Sequence, residues 1–193
     1  RLSGYIPPPI DRSYLAGREA KVQQSVAITD LSYFDLRDSN LLTPVKHQSS
    51  CGSCWAFAAI AAVESTSMPE DELDLSENNL KNRHGFEWAH CEGGNRDMAM
   101  AYFARWDGPV AEQDDPYDIT SSVSPEGLVL QKHVQNSYYL AGRTDSLDND
   151  EIKNVLTTYG AVMVYMLFSE AHYNEANYSH YYDGDDISDH AIV

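Results

Sequence analysis

Basic residues are scarce in this 193-residue chain: 13 Lys and Arg stand against 30 Asp and Glu, a net charge of −17. That balance excludes nucleic acid as an expected partner, because phosphate backbones are gripped by clustered Lys and Arg. It equally disfavours an anionic membrane surface. Long hydrophobic runs are missing too. The longest, Cys54 to Val63, falls far short of the roughly 20 residues that a spanning helix needs, so no membrane insertion is expected. No charged-then-apolar leader opens the chain, and Arg1 reads as an artificial or processing boundary. Internal repeats and low-complexity tracts are absent. Cysteine is sparse: Cys51, Cys54 and Cys91 cannot all pair, so one thiol is left over.

What is present allows a packed core. A chain of this length buries roughly 70% of its unfolded surface. A hydrophobic fraction of 42% is too high for a disordered chain. Residues 1–32 carry weak periodicity and the Pro7-Pro8-Pro9 run, which favours an extended path. They read as an N-terminal extension, either a surface strap or the remnant of a pro-segment. Part of this strap is expected to approach the functional cleft.

The domain proper is placed at 33–193, with a helical lobe over 33–112 and a strand lobe over 113–193. Trp55, Ala58, Ala59, Ala62 and Val63 repeat at helical spacing and predict a helix from Cys54 to about Ser67, capped by Ser53. Ser76 opens a second helix, and Asp97 to about Arg105 reads as a third after the Gly93-Gly94 turn. Gln131 to Leu140 and Ala161 to Phe168 are rich in Val, Tyr and Leu and read as strands. Asp148, with Glu151 three residues on, predicts the cap of a short helix between them. Asp189 to Val193 reads as the start of a further strand. Helices followed by strands make an α+β pattern.

The chemistry concentrates in Gln48-Ser49-Ser50-Cys51-Gly52-Ser53-Cys54-Trp55-Ala56-Phe57. Cys54 stands in the first turn of the predicted helix, where the positive end of the dipole favours a thiolate. A thiolate there is a nucleophile in need of a base. Gln48 offers a side-chain NH2 which, beside the Cys54 amide, can hold a developing oxyanion.

This string resembles the active-site signature of papain-like cysteine peptidases, Cys-Gly-Ser/Ala-Cys-Trp/Tyr. The resemblance continues, in order, over about residues 33 to 193. Phe34-Asp35-Leu36-Arg37 and Thr43-Pro44-Val45-Lys46 resemble the start of the mature chain. Leu75-Ser76-Glu77 resembles the second-helix motif, Cys91-Glu92-Gly93-Gly94 the Cys-x-Gly-Gly turn, and Gly160-Ala161-Val162 a strand start. Asp189-His190-Ala191 resembles the strand of the catalytic histidine, and His190 follows Cys54 by 136 residues, within the spacing of that signature.

The resemblance implies a helical N-terminal lobe, an antiparallel, β-barrel-like C-terminal lobe and an active site in the cleft between them. It makes Cys54 the nucleophile, His190 the general base and acid, and Gln48 with the Cys54 amide the oxyanion hole. Cys51 would pair with Cys91, leaving Cys54 free. Gly93 and Gly94 would present backbone to an extended polypeptide substrate. Tyr165, Ser188 and Ala191 would line the second specificity pocket, and Asp189 joins the substrate-binding set. The implied reaction is endopeptidase hydrolysis through a thiolate–imidazolium pair and a thioester, with no cofactor and no metal. Such a pair predicts a thiol already ionised near about pH 6. The family further implies a secreted zymogen with a monomeric catalytic domain. Gly4 to Asp11 is faintly similar to segments upstream of bacterial and archaeal surface-associated members. That points to an extracellular or cell-surface location and to further domains after Val193.

The sequence departs from the pattern at Ser49, where glycine is usual, and at His47, where asparagine is common. The third catalytic residue, an asparagine followed by Ser-Trp, is expected after Val193, so the strand lobe is read as C-terminally incomplete. The competing reading is a catalytically silent papain-like binding or adhesion module, disfavoured because Cys54, His190 and Gln48 are all present. A redox Cys51-x-x-Cys54 pair and a zinc site from Cys51, Cys54, Cys91 and His90 are weaker alternatives. His84, His90, His133, His172 and His180 are read as structural. Glu70-Asp71-Glu72 and Asp183 to Asp186 read as solvated loops rather than calcium sites. Asn177-Tyr178-Ser179 is a glycosylation sequon of a kind common by chance. The Tyr-rich stretch from Tyr173 to Tyr182 reads as lobe packing.

Overall fold

The computed structural model describes residues 4–11 and 31–193. The rest of the expected N-terminal extension, residues 1–3 and 12–30, lies outside the described residues. Three helices build the first lobe: α1 (Cys54–Ser67), α2 (Glu77–Arg83) and α3 (Arg96–Ala104). α1 is rich in alanine and apolar on nearly all sides, and such a helix belongs in a core. Trp55, Ala56, Ala58, Ala59 and Ile60 are buried on it. They join Leu75, Leu80, Met98, Tyr102, Phe103 and Ala191 in one cluster. Ser76 caps α2 by accepting the Asn79 N–H, as its sequence predicts. α3 starts one residue earlier than expected because Asn95 caps it, accepting from Asp97 N and Met98 N.

Two caps differ from expectation. Ser53 makes no side-chain cap on α1; its hydroxyl lies 2.6 Å from the Tyr117 hydroxyl instead. α4 (Asp150–Tyr159) follows Asn149. Asp148 accepts from Thr144 N at 2.9 Å and Thr144 Oγ1 at 3.0 Å, closing the preceding turn rather than the helix. In both places a partner elsewhere satisfies the side chain better than the local amides do.

The second lobe carries short antiparallel pairs. β1 (Val164–Met166) pairs with β4 (His190–Ile192), and β2 (Tyr173–Asn174) pairs with β3 (Ser179–His180). The register sets Tyr165 opposite Ala191 and Met166 opposite His190. Of the strand expected over Ala161 to Phe168, only Val164–Met166 pairs. The strand expected over Gln131 to Leu140 does not form: these residues are irregular. Their aromatic content is spent on ring contacts rather than on a ladder. His133 stacks on Trp106 at 4.3 Å, Tyr138 stacks on Tyr159 at 5.2 Å, and the Arg96 guanidinium lies over Tyr139 at 5.5 Å. β-propensity reports side-chain packing, and here that packing needs no strand partner. The architecture remains α+β, helices followed by antiparallel pairs. Among the described residues no helix is long and apolar enough to cross a membrane.

A charge cluster, buried at Glu64 and Glu77, ties the loop before Gln48 to both helices behind it. Lys46 Nζ lies 3.0 Å from Glu64 of α1, 3.0 Å from Glu77 of α2 and 2.8 Å from Asp74. Glu64 also accepts from Thr43 Oγ1 at 2.5 Å and from Leu75 N at 2.8 Å. Burial works against the Lys46 charge, but Glu77, Asp74 and Glu64 outweigh it and hold the ammonium above the ordinary lysine range.

Candidate active site

Cys54 opens α1, and the fold brings β4 against that helix end. The Ala191 N–H donates to Cys54 Sγ at 3.4 Å. His190 is the preceding residue on β4, and the β1–β4 register sets it opposite Met166. Phe168 packs near its ring, with centroids 6.3 Å apart. The Cys51–Cys91 disulfide is present and Cys54 is the free cysteine. That pairing removes both alternatives built on Cys51, the redox pair with Cys54 and the zinc site.

Gln48 reaches back across its own turn, and its Nε2 donates to the Cys51 carbonyl at 2.8 Å. An amide NH2 carries two hydrogens, so one remains for a ligand. Ser49, which stands where glycine is usual, adopts φ 56°. That left-handed conformation explains why a glycine suits the position.

Of the remaining predicted residues, Gly93, Gly94, Tyr165 and Asp189 meet a segment of the chain itself, Gly4 to Ile6. Tyr5 forms a parallel bridge with Gly94. Gly94 N donates to the Gly4 carbonyl at 2.8 Å, Ile6 N donates to the Gly94 carbonyl at 2.9 Å, and Tyr5 N donates to the Asp189 carbonyl at 3.2 Å. The Tyr5 ring stacks on Tyr165, centroids 3.9 Å apart. Tyr165 is pinned from behind, its hydroxyl accepting the Arg96 N–H at 2.8 Å. Gly94 has to be glycine, because a Cβ there would meet the Trp55 ring at 2.3 Å. Gly93 lines the same turn, against Gly4 and Ile6. Ser188 sits half-buried on the approach to β4, and none of these three backbone hydrogen bonds runs to it.

This segment changes the electrostatics. Cys54 is 1% exposed. Burial pushes its thiol up, against the stabilising N–H groups of Ala191, Gly4 and Trp55. Burial also pushes the His190 imidazolium down, with Asp189 opposing. Both shifts run toward the neutral forms in this covered arrangement.

Two residues at the site escaped sequence reasoning. Tyr5 carries no local signal, because only the fold brings it to Tyr165. Tyr117 lies 64 residues from Ser53 and 69 from Gln48, and it touches both. Among the described residues no group of three or more His, Cys, Asp and Glu is arranged to hold a metal ion.

Known proteins resemble this chain in sequence and in fold. The family described as papain family cysteine protease matches residues 31–193. Cysteine protease 1 of Oryza sativa subsp. japonica is 37% identical over 123 residues, covering 61% of this chain and 24% of that protein. The procathepsin L2 digestive proteinase of the Tenebrio molitor larval midgut superposes with a TM-score of 0.72 at 24% identity, covering 98% of this chain and 62% of that one. The cysteine protease and lectin-like domains of Cwp84, a surface layer associated protein of Clostridium difficile, superpose with a TM-score of 0.64 at 24% identity, covering 74% and 33%. These two likenesses concern the fold. The chain spans well under two thirds of the length of the curated relatives it matches. With its residues 31–193 matched from end to end, the chain belongs to the papain family of cysteine proteases.

Proposed function

We propose that this chain is a cysteine endopeptidase held latent by its own N-terminal segment. The observation that carries this reading is the position of Cys54 Sγ. It lies at the start of α1, 3.4 Å from the N–H of Ala191, the residue after His190, beneath a segment that is hydrogen-bonded to Gly94 and Asp189. A polypeptide thus already lies where a substrate would. It does so in parallel pairing, with the Gly4 carbonyl given to Gly94 N rather than to the oxyanion donors. The pro-segment reading of residues 1–32 rests on the described part, 4–11.

With the segment displaced, Cys54 gives up its proton to His190 and the thiolate attacks a substrate carbonyl carbon. The oxyanion forms against the free hydrogen of Gln48 Nε2 and the Cys54 N–H. His190 then protonates the departing amine as the C–N bond breaks, leaving a thioester on Cys54. Water, deprotonated by His190, adds to the thioester carbonyl, and the C–S bond breaks to release the acid and restore the thiol. Gly93 and Gly94 pair with the substrate backbone. Tyr165, Ala191 and Ser188 receive one of its side chains, and the Asp189 carbonyl takes a backbone N–H.

The Cys51–Cys91 disulfide supports an oxidising compartment, and Cwp84 is described as surface layer associated. The reading is therefore an extracellular or cell-surface enzyme with a monomeric catalytic unit within a larger protein. The test is peptide turnover by the protein with its segment displaced through Gly4→Ala, and by the same protein carrying Cys54→Ala or His190→Ala. Turnover lost in both variants at unchanged folded content supports the peptidase. Turnover that survives Cys54→Ala overturns Cys54 as the nucleophile, and specific peptide binding without turnover favours the silent binding module.

A further inference from the structure

The geometry points to Tyr117 as a positioning residue that holds the Gln48 oxyanion amide at a set distance from the start of α1. This rests on the peptidase reading above. The Tyr117 hydroxyl donates to the Gln48 main-chain carbonyl at 2.9 Å. It also lies 2.6 Å from the Ser53 hydroxyl. A phenol has one hydrogen, and the Gln48 carbonyl can only accept. The Ser53 hydroxyl is therefore the donor to Tyr117. The resulting relay, Ser53 to Tyr117 to Gln48, joins the residue just before Cys54 to the residue that supplies the second oxyanion donor. The Ser53 hydroxyl is turned to Tyr117 and makes no side-chain cap on α1.

Tyr117 is itself held on several sides. Its ring meets Phe57 of α1 edge-on at 4.8 Å. Its N–H donates to Glu112 Oε1 at 2.7 Å. Burial raises its phenol, so it keeps its proton and stays a donor at neutral pH. Gln48 needs such an anchor. Its side chain is tied at one point, to the Cys51 carbonyl. The next residue, Ser49, occupies a left-handed conformation at φ 56° that a non-glycine residue resists. Without Tyr117 the turn is free to relax, and relaxation moves Gln48 away from the developing charge. Tyr117 touches no substrate atom in this scheme and acts through Gln48.

The test compares Tyr117→Phe with the parent in the intact protein. Turnover of a peptide ester is expressed relative to the rate constant for alkylation of Cys54 by iodoacetamide, which carries the same open fraction, so that the covered fraction cancels. Alkylation is a displacement at carbon and uses no oxyanion hole; hydrolysis does. Complete loss of an oxyanion donor costs about 100- to 1,000-fold in kcat, so loosening one is expected to lower kcat by about tenfold. KM and the alkylation rate constant should hold. Equal kcat in the two proteins overturns the inference. So does a parallel fall of kcat and alkylation rate, which would mean general loosening around Cys54. Both proteins carry Gly4→Ala to uncover the cleft; absence of Cys54-dependent turnover in that background overturns the peptidase reading and this inference with it, and is recognised before Tyr117 is changed.

Discussion

Replacing Gly4 by alanine should uncover the cleft. A Cβ on Gly4 meets the carbonyl carbon and oxygen of Gly52 at 2.3 Å and its Cα at 2.7 Å. All three are backbone atoms, and the Gly52 N–H is bonded to the Cys91 carbonyl at 3.1 Å, so no side-chain rotation relieves the overlap. The strand has to lift. Three backbone hydrogen bonds and the Tyr5–Tyr165 stack are then at stake. At about 1 kcal/mol for each bond and about 1 kcal/mol for the stack, the gross loss is about 4 kcal/mol. Part returns as chain entropy, at about 1–2 kcal/mol per released residue. Loss of one bond and the stack alone is about 2 kcal/mol, about 30-fold in the ratio of covered to open cleft. Iodoacetamide labelling reads that ratio, because Cys54 is the free cysteine and Cys51 and Cys91 are paired. When opening is fast relative to alkylation, the rate follows the open population. Gly4→Ala is expected to label about 30-fold faster than the parent, and Cys54→Ser not at all. A Gly4→Ala protein with intact disulfide and helix content that labels no faster than the parent would refute the reasoning.

Acid should loosen the same strand. Burial holds His190 below its ordinary 6.5 in the covered state, so as pH falls through that range the open state binds the proton preferentially and the covered state loses stability. Labelling corrected for thiolate fraction should rise on acidification; a flat corrected rate would exclude this linkage. On the alkaline side the raised Cys54 thiol acts in the opposite sense, the open state losing its proton first, so the covered state is most stable between the two limbs. Lys46→Met leaves the Glu64 and Glu77 carboxylates buried without their cation, a loss of about 3–5 kcal/mol or about 6–20 °C in Tm for a chain of this size. Burial already lifts Glu77 from 4.5 to about 8. The folded chain therefore keeps a proton that the unfolded chain releases, and parent and variant both lose stability over that interval; losing Lys46 lifts Glu77 further, so the Tm deficit should grow as pH rises above about 8, and a deficit unchanged there would contradict it. Cys51→Ser with Cys91→Ser removes a cross-link of sequence separation 40, worth about 4 kcal/mol by loop-closure entropy. Melting should fall accordingly while Cys54 labelling persists below the new transition, and loss of that labelling in the folded double variant would mean that the pair also shapes the site.

Much of the first lobe was legible because its signals are local. The alanine-rich spacing after Cys54, the Ser76 cap and the turn before α3 each determine a helix within a few residues of chain. The second lobe was harder. Val, Tyr and Leu mark both a strand and a segment held by ring contacts, and Gln131 to Leu140 proved to be the latter. Ser53 and Asp148 are cap residues by type, yet each found a different partner, Tyr117 and Thr144. Type decides what a side chain can bond, and proximity decides what it does bond.

The sequence by itself determined the chemical inventory. One unpaired cysteine at a helix start, a glutamine before it and a histidine far downstream are covalent facts, and their order carries the family resemblance. Only the tertiary structure decided which groups meet. The β1–β4 register places Ala191 on Cys54, Tyr117 joins Gln48 to Ser53 across the chain, and Gly4 to Ile6 covers the cleft. Each of these contacts joins residues distant along the chain, where no local propensity acts. Each also depends on burial, which moves Cys54 and His190 toward their neutral forms and which no residue type states in advance.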